Sequence, residues 1–173
     1  FLEAMGVSVV KANYSRYVID LNRPEDNKPL YLGKTTGLFP HMLFNEKPMF
    51  KPGAVVDTVH QNDCIKHIWR PFHQQLALEL ARIKEKFGYA ILFDAHSIPA
   101  QVPMFFAGTL PDFNMGTNGD PKNNVHAFQL ELSQATYLQD TEGYVLDESK
   151  CTQVKPQLKA LIEALVSCNL THQ

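Results

Sequence analysis

His96 follows the apolar run Tyr89-Ala90-Ile91-Leu92-Phe93, which reads as a buried strand, so its imidazole is expected to project from a strand end. A neutral imidazole is a good zinc ligand, and the ends of strands are where α/β sheets build their sites. Asn22 and Arg23 close an earlier strand-like run that begins at Tyr14. The guanidinium of Arg23 is a planar fork that matches a carboxylate with two parallel hydrogen bonds, and Asn22 can add a third. Arg16 lies seven residues earlier and borders the same segment. Glu131 is the lone carboxylate of the run Val125 to Leu132. Alternation puts Ala127, Gln129 and Glu131 on one face of that strand and His126, Phe128 and Leu130 on the other. A Glu in so apolar a strand is expected to be partly desolvated, a condition that suits a general base. Metal ligand, carboxylate grip and base together point to metal-assisted amide hydrolysis.

Each of these side chains also has a purely structural reading. His96 can bond to Asp94 or to the backbone, and a catalytic zinc needs about three protein ligands. The other six of the seven histidines do not supply them. His60 and His67 stand seven apart on what reads as the solvated face of a helix, and His126 points away from Glu131. His41, His73 and His172 have no partner at a useful spacing. Arg16 and Arg23 can pair with Asp20, Glu25 or Asp26 as surface ion pairs, which are worth little. Glu131 can face water from an edge strand.

The elements that position these residues follow from periodicity and punctuation. Val7 to Ala12 and Tyr17 to Leu21 read as strands rich in β-branched residues. From Asn22 to Val56 the pattern dissolves into Pro, Gly, Asn and Lys, a loop long enough to be functional. Asp57 or Thr58 is a candidate cap for an amphipathic helix carrying Ile65, Ile68, Trp69, Phe72, Leu76, Leu80, Ile83 and Phe87 and ending at Gly88. Pro71 should kink or divide it. The strand Tyr89–Phe93 follows, giving a β-α-β order and a sheet covered by helices. An irregular stretch holds Asp112 to Thr117 and continues through Asn118 to Asn124 without apolar periodicity. The strand of Glu131 and a last helix with Leu158, Leu161, Ile162 and Leu165 on one face complete a single α/β domain over residues 1–173.

Composition narrows the class. A chain of 173 residues with 45% hydrophobic and 20% charged content is long enough for one sizeable core and is not disordered. Sixteen basic and eighteen acidic side chains give a net charge of −2, and no basic run suggests a nucleic-acid partner. No apolar run approaches the roughly 18 residues that read as a membrane span. Three widely spaced cysteines fit a reducing cytoplasm better than a disulfide framework. Phe1 to Gly6 lacks a signal-peptide pattern and reads as the end of a helix stopped by Gly6, so the chain is expected to begin in mid-domain. Oligomeric state is not legible in these residues.

Taken together, Tyr14 to Pro24, Thr35-Thr36-Gly37-Leu38, Leu92 to Ile98, Asp112 to Thr117 and Val125 to Gln134 closely resemble the N-formylglutamate amidohydrolase (deformylase) family. That family is similar to the zinc carboxypeptidases. The resemblance implies a three-layer α/β sandwich, a central mixed β-sheet flanked by helices of the zinc-carboxypeptidase-like (phosphorylase/hydrolase-like) kind. It implies zinc-dependent hydrolysis of N-formyl-L-glutamate, a small-molecule substrate, to formate and L-glutamate. By the same resemblance His96 is a zinc ligand, Glu131 the general base, and Asn22 and Arg23 the grip on the α-carboxylate. Arg16 is the weaker candidate for the side-chain carboxylate, with Asn114 and Thr117 as neutral helpers. The other zinc ligands are expected upstream of Phe1, in a Pro-His-Ser-Gly-like motif with an acidic residue. Relatives are also expected to be longer between the Gly-Thr motif and the Glu131 strand, so that residues around 118–125 join separate pieces. A carboxypeptidase-like enzyme, another N-acyl amino acid amidohydrolase, and a non-catalytic binding module stay open as alternatives.

Overall fold

Pro71 decides the shape of the long helical segment. It has no N–H to donate, and its ring presses on the carbonyl four residues back. In the computed structural model, which describes residues 1–28, 36–141 and 143–168, the segment is divided just ahead of it. Helix α1 spans Thr58–Cys64, a π-helical turn covers Ile65–Trp69, and α2 spans Arg70–Phe87. The wider turn lets the Arg70 N–H reach back to the Ile65 carbonyl, which relieves the clash before the proline arrives. Asp57 caps α1 by accepting the His60 N–H at 2.8 Å. Gly88 ends α2 at φ 83° and returns its N–H to the Lys84 carbonyl.

Three strands form one mixed sheet: β1 (Ala90–Ile98), β2 (Phe113–Asp120) and β3 (Val125–Ser133), in the order β1-β3-β2. β1 and β3 are parallel, and β2 is antiparallel to β3. β1 continues five residues beyond Phe93, so His96 lies within the strand and not beyond its end. β2 is a strand where the sequence predicts irregular chain. Its Asn114, Gly116, Gly119 and Asp120 have little strand preference, and the ladder to β3 holds them extended. A hairpin joins β2 to β3 through the turn Pro121–Asn123, with Asp120 opposite Val125. Gly119 sits at φ 129°, where a Cβ would lie 2.7 Å from the Val125 carbonyl oxygen, so the close approach requires glycine.

Val7 to Ala12 and Tyr17 to Leu21 do not form strands, and the β-α-β order expected from them is not present among the described residues. The Asp20 N–H pairs with the Leu38 carbonyl, and Val18 closes a turn onto Ser15. Ile19 and Asp20 are adjacent and both buried, which a strand with one face on the core does not allow. The side-chain bonds of Asp20, detailed below, hold the turn in place of a ladder.

Two apolar clusters hold these pieces. Ile19, Leu38 and Cys64 form one, with Leu21, Phe39, Ile65, Ile68 and Trp69 against them, and it fixes the N-terminal segment on the α1–π turn. The other contains Leu130, Leu132 and Val154, with Phe93, Phe113, Tyr137, Leu158 and Leu161. It seats α3 (Glu148–Ser167) on the sheet face that carries Leu130 and Leu132. Ile19 and Leu38 are each 1% exposed, and burying each contributes roughly 1.5–3 kcal/mol. Cys64, Cys151 and Cys168 are free thiols. No helix among the described residues is long and apolar enough to cross a membrane.

Candidate active site

Parallel pairing puts His96 directly beside Glu131, and antiparallel pairing puts Asn114 on the other side of Glu131. His96, Glu131 and Asn114 therefore form a row across three strands, with neighbours about 4.8 Å apart along the ladder. One step back on the same face, Asp94 lies beside Gln129. At the row and one step behind it, the face opposite α3 thus carries one imidazole and two carboxylates. Its residues are those that alternation assigned to Glu131's side of β3, and His126 is on the other side as expected.

The His96 side chain is 23% exposed, and its Nε2 stands 2.8 Å from Asp94 Oδ1. The separation is that of an ion pair, yet the two groups are not aligned as a hydrogen bond, and the buried nitrogen has no other hydrogen-bond partner. The Asp94 carboxylate at this distance holds the His96 pKa above 6.5 against the opposing effect of burial. Glu131 raises it further, and the nearby Arg16 guanidinium lowers it. Gln129 Nε2 donates to Glu131 Oε1 at 3.2 Å and orients the carboxylate toward the row.

Arg16 reaches this face from the N-terminal segment. Its Nη2 donates to the buried Asp20 carboxylate at 2.7 Å, and its guanidinium lies 5.4 Å from the centre of the Phe44 ring. Asp20 also accepts the Asn22 N–H on Oδ1 at 3.0 Å, and the Arg23 N–H donates to the Asp20 carbonyl. Arg16 thus takes the ion pair anticipated as its structural reading, although the pair is partly buried. Arg23 does not. Its Nε and Nη2 donate to the carbonyl and hydroxyl of Thr36, and its Nη1 to the Asn22 carbonyl, at 2.7–2.9 Å. All three acceptors are neutral, and no carboxylate among the described residues pairs with Arg23. Glu25 pairs with Arg70, and Asp26 with Lys28.

Two expected helpers are placed differently. Thr117 pairs with Phe128, so it belongs to the sheet face opposite Glu131 and is exposed there. The odd and even positions of β2 divide between the faces, and Asn114 and Thr117 fall on different ones. Asn114 is in the row, but its Nδ2 donates to the Pro111 and Glu131 carbonyls at 2.9 and 3.1 Å. Its amide hydrogens brace β2 and the backbone of Glu131. Thr35 and His172 lie outside the described residues, whereas Thr36 is the partner of Arg23.

Several site residues are read in the sequence without their roles. Asp20 enters only as a surface ion-pair partner, and Gln129 only as a neighbour on Glu131's face. Thr36 lies in a stretch that carries the family resemblance, but no local signal marks it. His73, read as partnerless, hydrogen-bonds the Leu21 carbonyl and stacks on Trp69. Its signal was the i,i+4 spacing from the chain's one tryptophan.

Orphaned Nε2 of His96 fits one metal ligand position. Among the described residues, however, no three His, Cys, Asp or Glu side chains come together as a metal-binding group. Among the described residues His96 has no companion set of ligands.

A mixed sheet with an imidazole–carboxylate row on one face is an arrangement that an α/β amidohydrolase can use. The family is narrower. Residues 1–122 match the family described as N-formylglutamate amidohydrolase, the match ending in the β2–β3 hairpin. The N-formylglutamate deformylase of Pseudomonas putida is 40% identical over 207 positions, covering 96% of this chain and 78% of that protein. The enzyme of the same name from Pseudomonas aeruginosa is 36% identical with the same coverage. The crystal structure of N-formylglutamate amidohydrolase from Ralstonia eutropha JMP134 shares the fold, with a TM-score of 0.67 at 18% identity, covering 87% of this chain and 73% of that one. The chain belongs to the N-formylglutamate amidohydrolase family.

Proposed function

We propose that the protein hydrolyses the formamide of N-formyl-L-glutamate, giving formate and L-glutamate. The observation that carries this reading is the placement of His96 beside Glu131 on one sheet face of a chain 40% identical to a deformylase. A water adds to the formyl carbon, Glu131 takes its proton, and the same proton passes to the amine nitrogen as the C–N bond breaks. Gln129 holds Glu131 in place for both transfers, and Asn114 fixes its backbone. His96 is the described residue that would hold a zinc ion. Zinc supplies, when bound, polarisation of the formyl oxygen and a water acidified to a pKa of about 7.

Arg23 and Asn22 hold the α-carboxylate. A half-buried guanidinium bonded only to neutral groups keeps a full positive charge for an anion, and the Asn22 amide makes no bond among the described residues. Arg16 is the weaker candidate for the side-chain carboxylate, because Asp20 already neutralises it. The sheet with α3 on one face is read as part of a three-layer, carboxypeptidase-like sandwich. Alignments of 207 positions exceed the 173 residues of this chain, so each relative has at least 34 positions without a counterpart here. We read the 118–125 connection as their place, a reading supported by the end of the family match at residue 122. A cytoplasmic location fits the three free thiols.

Arg23→Lys keeps the charge but loses the fork. It is expected to lower kcat/KM for N-formyl-L-glutamate at least tenfold, about 1.4 kcal/mol in transition-state stabilisation, with metal content unchanged. Rates on N-formyl-L-glutamate and on peptides with a free C-terminus, measured side by side, test the substrate class. Preference for the peptides, or near-normal kcat/KM in Arg23→Lys, would overturn the assignment.

A further inference from the structure

Asn22 and Arg23 lie in a turn without helix or strand, yet a carboxylate grip works only if its donors are placed to within a fraction of an ångström. Something outside the turn must hold it. Trp69, at the end of the π turn, donates its Nε1–H to the Arg23 carbonyl at 2.9 Å. His73, one helical turn later, makes a bond of 3.1 Å to the Leu21 carbonyl. A carbonyl only accepts, so the proton is on His73 Nε2. The two rings are stacked at 3.9 Å with a 33° tilt, and the edge of Phe72 closes on His73. Asp20 Oδ1 takes the Asn22 N–H between them. Both carbonyls flanking Asn22 are therefore tied to one helical surface, while its own amide stays unbonded among the described residues.

We infer that Trp69 and His73 are positioning residues for the α-carboxylate grip, setting the backbone of Leu21 to Arg23 through two hydrogen bonds. The inference rests on the reading of Arg23 and Asn22 above. Neither ring has to touch the substrate. Burial lowers the His73 pKa from its usual 6.5, which keeps the ring neutral and its tautomer fixed near pH 7. Losing either bond frees one side of the turn and misaligns the fork without moving the row of His96 and Glu131.

The test compares two substrates. N-Formyl-L-glutamate carries the α-carboxylate, and N-formyl-4-aminobutyrate lacks it but retains the distal one. Trp69→Phe keeps a ring and deletes the N–H, His73→Leu deletes the donor, and His73→Gln restores one. Trp69→Phe and His73→Leu are expected to raise KM for N-formyl-L-glutamate about five- to tenfold with kcat within about twofold. His73→Gln should recover most of the loss, and all three should match the wild type on N-formyl-4-aminobutyrate. Equal losses on both substrates, a fall in kcat alone, or no rescue by Gln would overturn the inference. Should Trp69→Phe fail to fold, the Leu and Gln variants at position 73 decide it. Arg23→Lys separates the two levels. If it raises KM and the Trp69 and His73 variants do not, this inference fails alone; if it too leaves KM unchanged, the reading of the grip fails.

Discussion

Glu131→Gln is expected to lower kcat by about 10²- to 10⁴-fold while changing KM little. Gln has the size and shape of Glu and still accepts the hydrogen bond from Gln129, so the β3 strand and the row across the sheet are preserved. What it lacks is a basic oxygen able to take a proton from the attacking water. His96 cannot replace it, because its Nε2 already faces the Asp94 carboxylate at 2.8 Å. Formate release at saturating N-formyl-L-glutamate gives kcat directly. A variant within about threefold of the wild type would remove Glu131 from the role of general base.

His96→Ala is expected to abolish bound metal and activity together. Its imidazole is the only one in the row, and its buried nitrogen lacks an aligned partner among the described residues. Removing it leaves Asp94 and Glu131 on one face without the group between them. The loss of a ligand at a catalytic metal site is far larger than the loss of a surface ion pair, which is worth 0–1 kcal/mol. Elemental analysis of the purified variant, beside a melting curve to establish folding, reads the metal independently of turnover. Unchanged metal content in a folded His96→Ala protein would make His96 a structural residue held by Asp94.

The face of β3 that carries Glu131 was legible in the sequence because period-2 alternation is a local property. It places Glu131 on a face whatever the partner strand turns out to be. Which strand lies beside it is a matter of tertiary pairing. The parallel register that brings His96 opposite Glu131 could be anticipated only through the family resemblance. The helices were legible for the same reason as the alternation: Asp57, Pro71 and Gly88 act within a turn of their own position.

Errors arose where a side chain or a ladder decides locally against propensity. Tyr17 to Leu21 has β-branched residues, but Asp20 offers its neighbours a carboxylate, and the Asx-type bond to Asn22 bends the chain. β2 is the converse case. Phe113 and Thr117 favour a strand, but Asn114, Gly116, Gly119 and Asp120 outweigh them, and the edge of β3 that the segment completes is not visible in its own residues. Thr117 followed from the missed strand, because without a strand there was no parity to separate it from Asn114. Thr36, which fixes the Arg23 fork from 13 residues away, left no trace in spacing at all.

The most direct test is formate release by the purified protein from N-formyl-L-glutamate, with and without a chelator. Turnover of N-formyl-L-glutamate that disappears on chelation and returns with added zinc is the expected result. Turnover that persists after the metal is removed, or none on any N-formyl amino acid, would contradict it.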